Sequence, residues 1–223
     1  MRAERVSTGI PALDGMLGGG LERGTITQIF GEPGCGKSTF VLITVISVLR
    51  EGEGVVFFDT EGLSIERFGQ IAGGGAETLA SRMYIYEPST FEAQGMMIAE
   101  SEQLLKKGGI GLYVMDTATA LYRTELGGLR EAQRRLAAQL LQMLGMSRRY
   151  QVPILITNQV YLDPESGEYR PLGGTAMQHI SKAIIRIERL NGGKRRAVLV
   201  KHRARPEGIS FDFEMTSEGV RVL

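Results

Sequence analysis

Along the chain, short apolar runs alternate with polar stretches and clusters of glycine. Thr25–Phe30, Val55–Phe58, Met83–Tyr86, Leu112–Met115 and Pro153–Thr157 are largely apolar and rich in β-branched or aromatic residues. Continuous runs of this kind, rather than alternating ones, mark strands buried on both faces of a parallel sheet. Between them lie segments of helical spacing. Lys37–Arg50 reads as a helix. In Leu129–Tyr150, Leu129, Leu136, Leu140, Met143 and Leu144 share one stripe, while Arg130, Arg134 and Arg135 lie off it. The tail changes character. Ala183–Arg189, Ala197–Lys201, Ile209–Met215 and Val220–Leu223 read as strands separated by turn residues, hence as antiparallel hairpins. The pattern predicts an α/β fold in a single domain over 1–223. Its sheet is mostly parallel, flanked by helices on right-handed crossovers, with β hairpins at the C-terminal edge.

Composition narrows the classes. A chain of 223 residues can bury one sizeable core without disulfides or metals. A net charge of +1 excludes a highly basic coat protein and an acidic disordered tail, but leaves local basic patches open. Cys35 is the only cysteine, and His179 and His202 are the only histidines. These counts exclude a disulfide framework and a Cys/His metal cluster. No apolar run approaches the roughly 20 residues of a membrane span, and none follows Met1 as a signal core, so the expected location is the cytoplasm. Glycine numbers 30, nearly twice the usual share of about 7%. Much backbone must therefore turn tightly or approach something closely.

The densest glycine cluster carries the chemistry. Gly31-Glu32-Pro33-Gly34-Cys35-Gly36-Lys37-Ser38 fits G-x-x-x-x-G-K-S between an expected strand and an expected helix. Glycines let backbone N–H groups curl around phosphate oxygens, and the helix N-terminus favours the anion. Lys37 offers a fixed positive charge to the β and γ phosphates. Ser38 offers its hydroxyl to Mg²⁺. Cys35 fills a variable position and is read as a spectator. Ligands of open α/β sheets lie at the carboxyl ends of strands. There, three further strands deliver Asp59-Thr60-Glu61, Asp116-Thr117 and Thr157-Asn158-Gln159. Asp116, after four apolar residues, is the natural holder of Mg²⁺. Glu61 is the candidate to deprotonate the attacking water, with Asp59 as its rival. Asn158 and Gln159 are candidates to sense a γ phosphate and relay its loss to the loop that follows.

Ser7-Thr8-Gly9-Ile10-Pro11-Ala12-Leu13-Asp14, Leu17-Gly18-Gly19-Gly20-Leu21 and the phosphate loop together resemble the RecA/RadA recombinase superfamily. Phe58-Asp59-Thr60-Glu61-Gly62, Tyr122-Arg123-Thr124-Glu125 and Ile156-Thr157-Asn158-Gln159-Val160 resemble its archaeal and eukaryotic branch. The short length and Lys201–Gly208 resemble an archaeal paralogue of the main recombinase. The resemblance implies a RecA-like P-loop NTPase core, ATP and Mg²⁺ as cofactors, weak hydrolysis, and DNA binding in homologous recombination and repair. It places ATP on Gly31–Ser38 and Thr39, and Mg²⁺ on Ser38 and Asp116. It makes Glu61 the catalytic glutamate and Gln159 the nucleotide sensor beside Lys37. Full-length archaeal recombinases carry an N-terminal helical DNA-binding domain and a linker phenylalanine that plugs into the neighbouring subunit. Here six residues precede Ser7 and none is Phe. The expectation is a weak homo-oligomer without autonomous strand exchange.

Two loops correspond to those with which recombinases hold single-stranded DNA. The first, about Arg123 to Arg135, offers Arg123, Arg130, Arg134 and Arg135. The second, about Val160 to Gly174, offers Arg170 with Tyr161 and Tyr169. Cations there would neutralise phosphates regardless of sequence, and tyrosines would stack on bases. His179 follows the second loop and is a candidate coupler. In the tail, Lys194, Arg195, Arg196, Lys201, His202, Arg203 and Arg205 fall within twelve residues. Arg195 and Arg196 are candidates for DNA. The resemblance favours Lys201 and Arg203 as cations that reach the ATP of an adjacent subunit. Expected partners are single-stranded or branched DNA, and the main archaeal recombinase or a junction nuclease, with no membrane. The alternative is a nucleotide-sensing adapter that recruits a recombinase or nuclease, with incidental ATPase activity.

Overall fold

The structure, a computed structural model, describes residues 4–124, 128–163 and 169–223; the side chains at 123, 124, 129 and 162 fall outside that description. The chain opens with β1 (Arg5–Val6), α1 (Pro11–Leu17), β2 (Leu21–Glu22), β3 (Ile26–Gly31), α2 (Lys37–Arg50) and β4 (Gly54–Asp59). It continues with α3 (Ile65–Ala72), α4 (Ala76–Ala80), β5 (Met83–Tyr86), α5 (Phe91–Lys107), β6 (Ile110–Asp116) and α6 (Leu129–Tyr150). Then come β7 (Ile154–Asn158), β8 (Val160–Leu162), β9 (Tyr169–Pro171), α7 (Gly174–Ile180) and β10 (Ala183–Arg189). It closes with β11 (Lys194–His202), β12 (Ser210–Thr216) and β13 (Gly219–Val222).

Nine strands form the main sheet, in the order β13-β12-β11-β10-β3-β7-β6-β4-β5. From β10 to β5 all pairs are parallel, and from β10 to β13 all are antiparallel. The parallel α/β core with an antiparallel C-terminal edge is the architecture read from the pattern. The apolar runs correspond to β3, β4, β5, β6 and β7, most of them one or two residues longer or shifted by one. β3, β4, β6 and β7 are buried along their whole length, as continuous apolar runs require.

The core lies in two layers. On one face α1 and α2 pack on β3, β10 and β12 through Leu13, Phe40, Val45, Ile29, Ile185 and Phe213. On the other, α5, α6 and α7 cover Val56, Met115 and Ile156. Helix α2 is apolar nearly all round because it is enclosed by the sheet and the C-terminal strands. The Phe40 ring stands 4.9 Å from that of Phe213. In α6, Leu136, Leu140, Met143 and Leu144 are buried and Arg130 and Arg134 exposed, as the stripe predicts.

Two features depart from the sequence reading. The segment read as a second loop carries structure of its own: the antiparallel ribbon β8–β9, then α7. β11 also begins three residues early, at Lys194, because Lys194–Arg196 pair with Asp212–Glu214 despite being charged. The cross-strand ion pair of Arg196 with Asp212 supplies part of what burial does not.

Candidate functional site

Parallel strands bring their carboxyl ends to one edge. Phe30 pairs with Asn158, Met115 with Ile156 and Asp59 with Asp116. The phosphate loop, both aspartates and the Thr157–Gln159 segment therefore lie side by side, although they are spread over 130 residues of sequence. Among the described residues no helix is long and apolar enough to cross a membrane.

The loop from Gly31 to Gly36 enters α2 with Gly34 at φ +69° and Gly36 at φ +113°, conformations that an L side chain resists. Lys37 is buried, and its Nζ donates to Gly31 O (2.9 Å) and Glu32 O (3.0 Å). The ammonium thus curls into the loop, where a phosphate would otherwise satisfy it. The Asp116 carboxylate accepts from Thr157 Oγ1, and the Ser38 hydroxyl lines the same cavity beside it. Burial pushes the Asp116 carboxyl above the ordinary aspartate range, against the downward pull of Thr157, Ser38 and Lys37. A buried carboxylate joined to a hydroxyl across two strands, beside an ammonium, is a donor set suited to Mg²⁺ with a triphosphate. Burial likewise raises the Cys35 thiol, which is fully enclosed; nearby Lys37 and Arg189 pull the other way.

Asp59 and Glu61 separate cleanly. Asp59 is buried, and its carboxylate accepts the backbone N–H groups of Glu61 (3.2 Å), Gly62 (2.8 Å) and Leu63 (2.5 Å). It caps the turn. Glu61 is exposed, and its Oε1 accepts from Gln159 Nε2. The structure so brings together two residues that the sequence linked only by resemblance. Asn158 is fully buried. It accepts from Thr119 Oγ1 (2.8 Å) and donates to Leu172 O (2.7 Å). Asn158 therefore pins the far end of the loop and does not face a phosphate. A cavity of about 100 Å³ lies against Ser38, Asp59, Glu61, Arg67 and Asp116. Arg67 escaped the sequence reading. It sits on α3, and its guanidinium donates to Thr216 O (2.8 Å) and Ser217 O (2.8 Å), a link across 150 residues that no local pattern signals. Thr157, which orients Asp116, was visible only as part of a strand end.

The remaining cations are scattered. Arg130 is exposed at the start of α6, and the exposed Arg134 pairs with Glu131 at 3.2 Å. Arg135 lies over the Phe91 ring at 5.4 Å, drawn into the α5–α6 contact. The side chain of Arg123 lies outside the described residues. Arg170 is bound to Asp163 at 2.6 Å, and Tyr161 and Tyr169 are exposed. Arg196 makes a two-pronged pair with Asp212 (2.6 and 2.9 Å), and Arg195 donates to Gly193 O (2.9 Å). Lys201 is opposite Ile184, which neighbours Gln28, three residues before the phosphate loop starts. Its Nζ donates to Gln178 O (2.6 Å) and Ser181 O (2.9 Å), and burial lowers its pKa. Arg203 is paired with the buried Glu22, which precedes β3. Arg203 thus sits toward the beginning of β3 and Lys201 beside its middle, two strands away, whereas the phosphate loop is at its end. His179 lines a groove of about 450 Å³ with Lys201, Tyr169 and Phe30.

Comparison with known proteins agrees with this arrangement. The Rad51 family pattern matches residues 2–222. The DNA repair and recombination protein RadB of Methanoculleus marisnigri is 56% identical over 225 residues, covering all of both chains. The proteins of that name from Archaeoglobus fulgidus and Methanococcoides burtonii are 42% and 41% identical, covering 99% and 98% of each chain. A solved structure described as the RadB recombinase superposes with a TM-score of 0.81 at 34% identity, over 96% of this chain and 98% of that one. Matched along nearly its full length by the family pattern, by these relatives and by the solved structure, the chain belongs to the Rad51 family, among its RadB members.

Proposed function

We propose that the protein is an ATP- and DNA-binding recombinase paralogue acting in homologous recombination and repair, with weak ATP hydrolysis and no strand exchange of its own. The observation that carries the reading is the convergence of Lys37, Ser38, Asp116, Glu61 and Gln159 at one sheet edge. ATP with Mg²⁺ fits the donor set: backbone amides of the loop for phosphate oxygens, Ser38 and Asp116 for the metal. When bound, the metal would offset phosphate charge as the bond to the leaving group opens. Lys37 would exchange its two carbonyl acceptors for phosphate oxygens. Glu61, held at its height by the Asp59 cap, would accept the proton of the attacking water. Gln159 would report the γ phosphate by letting go of Glu61, and Asn158 transmits that movement to Leu172 and α7.

Lys201 and Arg203 support a role toward ATP only between copies. Within their own chain they bond Gln178, Ser181 and Glu22 and not the phosphate loop, so head-to-tail packing would present them to a neighbour's nucleotide. For DNA, Arg130 and Arg134 are the better candidates: both are exposed on α6, and the 3.2 Å pair of Arg134 with Glu131 is a solvent-exposed one of little strength, whereas Arg170 and Arg196 are held at 2.6 Å by Asp163 and Asp212. Single-stranded DNA titration at several salt concentrations tests the reading. Changing Arg130 and Arg134 to Ala should weaken binding and flatten the salt slope by about one unit per lost contact. An unchanged slope would remove both from the interface.

The neutralised Arg170 and Arg196 favour a second reading: an adapter whose ATP state recruits a recombinase or junction nuclease. An adapter would show ATP-dependent affinity for its partner and no stimulation of ATPase by DNA.

A further inference from the structure

We infer that Arg189 is a positioning residue of the phosphate loop, tethering the loop's crest in place from the end of β10 while Lys37 changes partners. The inference rests on the nucleotide-binding reading above. Three observations meet here. Ile187 O lies so near Gly31 that a Cβ there would stand 2.3 Å from it, so β10 walls the start of the loop. Two residues on, Arg189 Nη2 donates to Pro33 O at 2.8 Å, across 156 positions of sequence. Gly34 makes room for that bond: a Cβ at this position would meet Arg189 Nη2 at 2.5 Å. The G-x-x-x-x-G-K-S pattern asks for no glycine at Gly34. Its φ of +69° and the guanidinium beside it do.

The two cations divide the loop's carbonyls between them. Lys37 holds those of Gly31 and Glu32, whereas Arg189 holds that of Pro33. An incoming phosphate must take Lys37 from its carbonyls, and at that moment the loop loses two hydrogen bonds. The Arg189 bond is not among them. It fixes the Pro33 carbonyl, and with it the Gly34 N–H on the opposite side of the same planar peptide, so that less ordering remains to be done on binding. A planar guanidinium with several donors on a rigid strand end suits this task better than a flexible ammonium.

Cys35 supplies a probe that needs no nucleotide. Its thiol is fully buried inside the loop, so alkylation requires the loop to open. Arg189→Ala removes a charge that favours the Cys35 thiolate, which alone would slow alkylation, yet the freed loop should raise the iodoacetamide rate several-fold in nucleotide-free protein. The substitution should weaken Mg-ATP binding by about tenfold, the worth of one charge-assisted hydrogen bond. Loss of this bond should lower the unfolding temperature by at most about 3–6 °C, so the protein stays folded for both measurements. Arg189→Lys, which keeps a donor for Pro33 O on a more flexible stem, should reverse part of both effects. Gly34→Ala should reproduce them from the other side of the same bond. Alkylation and ATP affinity equal to wild type in Arg189→Ala would overturn the inference. Wild-type protein that binds no ATP would instead strike the nucleotide reading, and the nucleotide-free alkylation rates would still decide for or against Arg189.

Discussion

Replacing Asp59 with Asn should loosen the turn that carries Glu61. The carboxylate accepts three backbone N–H groups, from Glu61, Gly62 and Leu63 at 3.2, 2.8 and 2.5 Å. An asparagine side chain brings one acceptor oxygen, and its NH₂ must face at least one of those donors. A hydrogen bond to a charged group contributes about 1.5–3 kcal/mol, toward the low end where the turn is exposed, so the net loss is about 2 kcal/mol. For a chain of this size each kcal/mol moves the unfolding temperature by about 2–4 °C, giving a drop of about 4–8 °C. Thermal unfolding by circular dichroism and steady-state ATPase, run together, separate the two acids. Asp59→Asn should lose stability and, with Glu61 misplaced, turnover as well. Glu61→Gln should unfold at the wild-type temperature, keep ATP bound and lose turnover. Asp59→Asn that unfolds as wild type yet hydrolyses nothing would show Asp59 to be the proton acceptor and refute the assignment.

Three further outcomes are expected. Lys37→Ala should abolish heat release on titration with Mg-ATP while the protein remains folded; wild-type affinity would dismiss the phosphate loop. Gly31→Ala would force a methyl to within 2.3 Å of Ile187 O and 2.8 Å of Cys35 Sγ, so β3 and β10 must part. A destabilisation of about 1–3 kcal/mol should follow in urea unfolding, with nucleotide binding lost. Burial, then Arg5 and Arg205, hold the His202 pKa below its ordinary 6.5, and His202 Nδ1 accepts the N–H of Ala204. The unfolded chain therefore binds this proton more readily, so the contribution of His202 is present above about pH 6.5 and lost as pH falls. His202→Gln should show a shallower fall in the urea midpoint between about pH 7 and pH 5, and equal slopes would exclude the effect.

How much of the site was legible depends on how far apart its parts lie in the chain. Lys37 and Ser38 follow the loop directly, and Asp116 closes its own strand, so each could be read without knowing the neighbours. The division of labour between Asp59 and Glu61 could not. Both follow β4 within three residues, and only the turn's hydrogen bonds show which carboxylate is occupied. Arg170 and Arg196 read as available cations because Asp163 and Asp212 lie 7 and 16 residues away, beyond the reach of motif spacing. Arg67 and Arg189 bear no local mark; their acceptors are backbone carbonyls roughly 150 residues distant.

What the sequence determined by itself is therefore everything that short-range geometry controls. Continuous apolar runs can only be buried strands, glycines at set intervals can only curl, and a polar residue that ends a buried strand must lie at the sheet edge. What the tertiary structure alone decided is the partnership of each charge. It fixed which carboxylate caps a turn, which arginines are already neutralised, and that Lys201 and Arg203 stand away from the phosphate loop of their own chain. An ion pair or a guanidinium bond depends on distances in space of about 3 Å, and strand order, not spacing along the chain, sets those distances.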